Sequence, residues 1–174
     1  NQVETTHSQE FRNMLARYGS LAVFLLLVTG ASFIATGFSA PEWYYQAVTR
    51  PAWTLPGWLF GIAWAFAWLA LAWAGWQVWL TGHYSRLTAL AGWFALVVLA
   101  IGWSALFFGM HRPGWAWMEV SLLLAGTVYC VQRFRPISVQ AARLVGAFLV
   151  WVLFLWIWTL SVWTLNGGFL SRFL

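Results

Sequence analysis

The feature that most constrains this chain is a series of long apolar runs with almost no charged side chains. The run from Gly57 to Leu80 carries none at all. A helix needs about 20 predominantly apolar residues to cross a hydrocarbon core of ~30 Å. The runs therefore predict an all-α integral membrane protein with five spanning helices, at residues 21–38, 57–80, 89–110, 115–132 and 144–165.

Composition excludes several classes of function. The chain has 174 residues, of which 62% are hydrophobic and 7% charged, so it has no room for a soluble domain beside the spans. Its nine basic residues are all Arg and are spread over the loops, which predicts no nucleic-acid partner. Cys130 is the only cysteine, and the histidines lie in separate loops or tails, so we predict no dedicated metal site.

The remaining segments are short. Residues 1–20 form a polar N-terminal segment, which we expect to be mobile at first and to end in a short interfacial helix. Residues 39–56 form the first loop, and residues 167–174 a short C-terminal tail. Six arginines on the N-terminal side of the spans against three on the other predict a cytoplasmic N-terminus and an external first loop.

The first loop and the start of the second span are unusually aromatic. Pro51 and Pro56 disfavour helix at Arg50 and Leu55, so the loop should be extended there and fold back. Indole and phenol rings suit either a membrane interface or the grip on a flat ligand. The loop is therefore either a lid over a site between the helices or an interfacial belt. The aromatic residues that suggest this lie in the loop itself, at Trp43, Tyr44 and Trp53, and at the start of the second span, at Trp58 and Trp64.

Glu119 is the only ionisable side chain within the predicted interior of a span. A carboxylate at membrane depth requires a partner, a proton or a water-filled cavity, which makes it a candidate functional group. The alternative is that Glu119 reaches headgroup level or stabilises the N-terminus of its helix through the dipole.

Ordered motifs identify a family. The first of these motifs comprises Trp43-Tyr44, Arg50-Pro51, Trp53, Pro56, Trp58, Phe60 and Trp64; the others are Trp103-Ser104, Phe107-Phe108-Gly109, Gly114-Trp115-Ala116 with Glu119, Ala141-Ala142-Arg143-Leu144, and Trp151. With these motifs the chain resembles a divergent member of the translocator protein / tryptophan-rich sensory protein (TspO/MBR) family. The resemblance extends over roughly residues 20 to 166.

The resemblance implies a five-helix bundle of the TspO type, usually a homodimer, with a pocket at the end covered by the first loop. Relatives bind porphyrin, haem and in some cases sterols, so the implied ligand is a non-covalent tetrapyrrole or other pigment. The implied pocket residues are Trp43, Trp53, Trp58, Trp103, Trp115, Glu119, Leu122, Trp151, Leu155 and Trp158. Arg50 and Arg112 are candidates for pairing with the ligand's carboxylates.

The chain also departs from the family pattern. Leu55 replaces a Pro, Ala100 an Asn, and Trp158-Thr159 a Leu-Asn pair. Bulk is added and polar groups are lost, which predicts a pocket that is smaller, filled by its own tryptophans, or adapted to a different ligand.

Three functions follow as hypotheses. The first is a tetrapyrrole-binding membrane protein with a regulatory or transport role. The second is a subunit of a larger membrane assembly, such as a pigment–protein complex, that reuses the fold with a closed pocket. The third is light-dependent porphyrin degradation; no side chain in the implied pocket is a nucleophile with its own base, so we predict no ordinary catalytic residues. Abundant Arg and absent Lys fit a GC-rich bacterium and hence a bacterial inner membrane.

Overall fold

The computed structural model describes residues 2–167, with side chains from residue 7 onward. This part of the chain is helical and contains no strand, which confirms the all-α class. The elements are α1 (Gln2–Thr36), α2 (Glu42–Ala47), α3 (Gly57–Leu80), α4 (Arg86–Ser104) followed by a π-helical turn (Ala105–Gly109), α5 (Pro113–Phe134) and α6 (Val139–Leu165). The predicted tail lies outside the described residues from position 168 onward.

Five of these helices are long and apolar enough to cross a membrane, as predicted. They cover His7–Thr36, Gly57–Leu80, Arg86–Gly109, Pro113–Phe134 and Val139–Leu165. The short α2 lies in the first loop and is not among them.

Four helices begin earlier than the predicted spans, among them α4, which begins at Arg86 and not at residue 89. α1 is continuous from Gln2, because residues 2–18 contain neither Pro nor Gly to interrupt it. α5 begins at Pro113, whose fixed φ suits the first helical position. α6 begins at Val139, where the Ser138 hydroxyl accepts a hydrogen bond of 3.2 Å from the Ala141 amide and so caps the helix. Hydropathy alone marks the apolar core of each helix and misses its polar ends.

The first loop contains a helix that the proline pattern did not predict. α2 follows Pro41 and carries Glu42 in its first turn, where a carboxylate is favourable, and it ends before the prolines at 51 and 56. The π-helical turn after α4 was also not predicted. It places Phe107 and Phe108 beneath the loop.

The spanning helices pack around α3, α4 and α6. α6 contacts α5 and α3, α4 contacts α5, and α1 contacts both α3 and α4. α1, α3 and α4 pack closely at Gly75, where an added Cβ would lie 2.8 Å from the Phe24 ring and 2.9 Å from the Trp93 ring. Toward the first loop, aromatic side chains occupy the interior of the bundle.

Candidate functional site

An interior aromatic cluster lies beneath the first loop, with Trp103 at its centre. Trp103 is fully buried, and its indole N–H donates a hydrogen bond of 3.1 Å to the Thr159 hydroxyl. Ring centroids of its neighbours lie between 5.3 and 6.4 Å away. The cluster comprises Phe60, Trp64, Trp103, Phe107, Phe108, Trp151, Phe154 and Trp158.

Two sets of hydrogen bonds fasten the first loop onto α6. The Trp158 indole N–H donates to the Thr54 hydroxyl at 3.1 Å. The Asn166 side chain makes a pair of bonds to the backbone of Thr49, accepting from its N–H at 2.9 Å and donating to its carbonyl at 2.8 Å. The loop therefore forms a strap across the aromatic cluster, which favours the lid interpretation over a simple interfacial belt.

Two cavities adjoin each other under this strap. The loop cavity, of about 180 Å³, lies between the strap and the cluster. The lateral cavity, of about 290 Å³, lies between the C-terminal half of α1 and the start of α3. The two share Tyr45, Gly57, Phe60 and Phe108 in their walls, so the rings of Phe60 and Phe108 separate them.

The structure brings together four of the ten residues implied as the pocket. Trp103, Leu155 and Trp158 are buried, and half-buried Trp151 lies against Phe60 at 5.3 Å between ring centroids. Among these four, Trp158 lines the loop cavity, and the other three line neither cavity.

Five of the other implied residues are exposed and do not line either cavity. Trp43 lies beside His111, with ring centroids 5.4 Å apart, and Trp53 lies edge-on to Phe154. Trp58 is 69% exposed at the start of α3. Trp115 and Leu122 lie on the outward face of α5. The implied pocket is thus divided between the interior and the outer surface of the bundle.

Glu119 is half-buried on α5 and faces α4 at Gly102, where an added Cβ would lie 3.3 Å from a carboxylate oxygen. Both carboxylate oxygens are buried, and no hydrogen-bond donor among the described residues reaches them. Stabilisation of the helix N-terminus does not account for this position, because Glu119 lies more than one turn beyond Pro113. It is a buried polar group without an evident structural purpose.

Arg50 lines the loop cavity and Arg112 does not. Arg112 is exposed, and its backbone N–H donates to the Leu106 carbonyl at 3.0 Å. Beside Arg50, burial raises the pKa of the Tyr45 phenol above its ordinary value of 10.0, while the guanidinium charge opposes that rise. Among the described residues no three His, Cys or acidic side chains are grouped as metal ligands would be.

Sequence reasoning missed several residues of this site. Tyr45, Phe60 and Phe108 form the walls common to both cavities, and Asn166 holds the strap. Phe60 and Phe108 belong to the family motifs and so could have been chosen from the sequence. Nothing in the sequence distinguishes Tyr45 from Tyr44 or marks Asn166 as more than the end of a helix.

Comparison with known proteins agrees with this architecture. The description "TspO/MBR family" belongs to the family model that matches residues 21–164. The "Tryptophan-rich protein TspO" of Chlorobaculum tepidum is 29% identical over 136 residues, covering 76% of this chain and 86% of the relative. The "Translocator protein" of Ovis aries is 26% identical over 133 residues, covering 74% and 79%. The "Protein CrtK" of Rhodobacter capsulatus is 26% identical over 132 residues, covering 75% and 82%. This five-helix chain therefore belongs to the TspO/MBR family.

Proposed function

We propose that this membrane protein binds a flat apolar ligand of the tetrapyrrole class in the loop and lateral cavities, with a regulatory or transport role. The observation that carries the proposal is the pair of adjoining cavities under a hydrogen-bonded strap. Their walls are mainly aromatic and small side chains, the kind of surface on which a planar ligand stacks.

The lateral cavity supplies the stacking surface. Trp64 and Trp68 line it and lie parallel to within 25°, with ring centroids 5.5 Å apart. Opposite them, the C-terminal half of α1 contributes Ser32 and Ala35, whose small side chains leave space between α1 and α3. A planar ligand can enter there from the membrane without passing through the strap.

The present cavities hold only part of a macrocycle. Ligand pockets commonly have volumes of about 300–1,000 Å³, and neither the 290 Å³ cavity nor the 180 Å³ cavity exceeds that range's lower limit. Rotation of the Phe60 and Phe108 rings would join them into one space. We therefore expect binding to move these two side chains.

Arg50 provides the polar contact that orients the ligand. Its guanidinium stands at the wall of the loop cavity, where it can pair with a carboxylate on the edge of the ligand. The ligand's ring then extends toward Trp64 in the lateral cavity.

Filling the lateral cavity tests the location of binding. Gly61 lines this cavity and has nothing within 4 Å of an added Cβ, so Gly61→Leu should occupy ligand space without a clash. Gly30 is equally open but does not line either cavity, which makes Gly30→Leu a matched control. Protoporphyrin is titrated into each purified variant while the Soret band and tryptophan fluorescence are recorded. Saturable binding that Gly61→Leu weakens about tenfold or more, and Gly30→Leu leaves unchanged, supports the proposal; equal binding by all three proteins contradicts it.

A second titration tests the role of Arg50. Arg50→Gln should weaken binding of the porphyrin dicarboxylic acid and leave binding of its dimethyl ester unchanged, because the ester carries no charge to pair. Equal effects on the acid and the ester would show that Arg50 does not contact the carboxylates.

The scaffold hypothesis rests on a different observation. The cluster around Trp103 already fills much of the interior, and α5 presents an outward apolar stripe at alternating spacings of three and four residues. Such a stripe suits a second helix, from another copy or another subunit. Its members are Trp115, Met118, Leu122, Ala125 and Tyr129.

Gentle purification from the native membrane distinguishes the two functions. An absorption spectrum from the near ultraviolet to the near infrared is recorded together with the particle mass. A Soret-type band on an isolated dimer supports the ligand-binding function. Pigment bands confined to a large co-purifying complex, with a colourless isolated subunit, support the scaffold.

A further inference from the structure

An interfacial groove lies at the end of the bundle opposite the first loop. Its volume is about 540 Å³, and it is bounded by α1, the end of α3 and the start of α4. Two arginines line it, whereas the loop cavity has one arginine in its wall and the lateral cavity has none. The residues that matter here are Asn13, Arg17, Ser20, Trp79 and Arg86.

The groove holds two guanidinium groups without an acidic partner. Neither Arg17 nor Arg86 forms an ion pair with a described carboxylate; their charged groups contact indole rings and one backbone carbonyl. The nearest acid along α1 is Glu10, which lies two helical turns, or about 10 Å, before Arg17. The groove therefore carries uncompensated positive charge.

Tryptophans fix the position of this charge. The Arg86 guanidinium lies 4.6 Å from the centre of the Trp79 ring and donates one hydrogen bond of 3.1 Å to the Trp79 carbonyl. The Trp76 indole N–H donates to the Arg17 carbonyl and to the Ser20 hydroxyl, each at 3.2 Å. A guanidinium has five N–H donors, so Arg86 keeps four for a ligand and Arg17 keeps all of its own.

The groove lies at the depth of lipid headgroups. α3 has 24 residues and a length of roughly 36 Å, so it spans the hydrocarbon core and places Trp79 and Leu80 at its boundary. Indole rings favour this interfacial layer. An anion that reaches the two guanidiniums at this depth can leave an apolar tail beside Leu80.

We propose that the interfacial groove binds the phosphate of an anionic lipid headgroup, with Arg17 and Arg86 as its ligands and Asn13 as an additional hydrogen-bonding group. Guanidinium groups match phosphate geometry, and basic pockets between spanning helices are suited to anionic lipids. A free phosphate ion has the same recognition chemistry, but it lacks the acyl chains that the neighbouring membrane supplies.

Native mass spectrometry tests the proposal on the full chain in detergent micelles. Dioleoylphosphatidylglycerol is added in steps, and the apparent affinity of the first bound lipid is measured. Arg17→Gln and Arg86→Gln should each weaken it about fivefold, and the double variant more than tenfold. Arg135 is exposed at the same end of the bundle but outside the groove, so Arg135→Gln is the charge-matched control and should change the affinity less than twofold.

Two further ligands separate the possible sources of phosphate. Dioleoylphosphatidylcholine, which has no net charge, should bind at least tenfold more weakly than phosphatidylglycerol. Inorganic phosphate should displace the lipid only at far higher concentration. Displacement at matched concentration would identify a free-anion site, and an equal loss in Arg135→Gln would show only general surface charge; either result overturns the proposal.

If Arg86→Gln does not fold, Arg17→Gln still tests the proposal, because the Arg17 side chain makes no hydrogen bond that folding requires. Arg17→Gln should also leave porphyrin binding unchanged, since the groove lies at the other end of the bundle. The proposal is therefore independent of the function assigned to the cavities.

Discussion

Two adjacent residues on α6 connect the surrounding elements of the site. Trp158 and Thr159 both make hydrogen bonds across it. Trp158 bonds the first loop through Thr54, and Thr159 accepts from the indole of Trp103. The two residues thus tie the first loop and α4 to α6.

Replacement of Thr159 measures the value of this bond. Thr159→Val keeps the side-chain shape but leaves the buried Trp103 N–H without an acceptor, which costs about 1–3 kcal/mol. Thr164→Val is the control, because the exposed Thr164 hydroxyl bonds only to carbonyls of its own helix. Thermal unfolding in detergent should show a lower midpoint for Thr159→Val alone. Equal midpoints for the two variants would mean that the Trp103 N–H finds another acceptor.

Tyr45 gives the strap a dependence on alkaline pH. Burial raises the pKa of its phenol, and the positive charge of Arg50 lowers it by a smaller amount. Burial favours the neutral phenol in the folded protein. The contribution of Tyr45 to the free energy of unfolding is therefore complete below pH 10.0, and it is lost as pH rises through the higher pKa of the folded state.

The difference in phenolate absorbance between the parent protein and Tyr45→Phe measures this titration. We expect a pKa above that of free tyrosine, and a further rise in Arg50→Gln, which removes the opposing charge. A midpoint at or below the free value would show that Tyr45 is solvated.

Among the elements, the contact of α1, α3 and α4 depends on the absence of a side chain at Gly75. Gly75→Ala would place a methyl group 2.8 Å from the Phe24 ring and 2.9 Å from the Trp93 ring, so we expect a loss of about 1–3 kcal/mol. In α6, Gly146→Ala meets nothing within 4 Å and should stabilise its helix by up to about 1 kcal/mol. We expect the thermal unfolding midpoint to fall in Gly75→Ala and to rise in Gly146→Ala, relative to the parent protein. A neutral Gly75→Ala would indicate that these helices can separate without cost.

The attachment of the strap to the end of α6 can also be tested. Asn166→Ala removes both side-chain bonds to Thr49, while Gln46→Ala removes only a bond within α2, to Glu42. The loss of two exposed bonds should speed hydrogen exchange across residues 48–56 by roughly tenfold, with no comparable change in Gln46→Ala. Unchanged exchange in Asn166→Ala would mean that the hydrogen bond between Trp158 and Thr54 keeps the strap in place.

For the whole molecule, the sequence predicts which segments span the membrane but not which tryptophans face inward. Spans are read from local composition, and the five helices follow from it. In a membrane, lipid is as apolar as the protein interior, so hydrophobicity does not separate buried Trp103 from exposed Trp115. The strap could not be predicted from the sequence either, because the hydrogen bonds of Asn166 to Thr49 join residues 117 positions apart.

The five spans place the ends of the described chain on opposite membrane faces, and the arginine distribution predicts which face is which. Arg86, Arg133, Arg135 and others lie at the end of the bundle that holds the N-terminus, so this end should be cytoplasmic. Cys130 is 1% exposed, so the parent protein should give almost no background in thiol labelling.

A membrane-impermeant maleimide applied to intact bacterial cells that express the chain should therefore label Ala52→Cys in the first loop and spare Tyr84→Cys between α3 and α4. Disruption of the cells should make both positions reactive, which shows that each cysteine is accessible in the folded protein. Labelling of Tyr84→Cys alone in intact cells would reverse the orientation. It would also place the strap and its cavities on the cytoplasmic side and the interfacial groove in the outer leaflet of the same membrane.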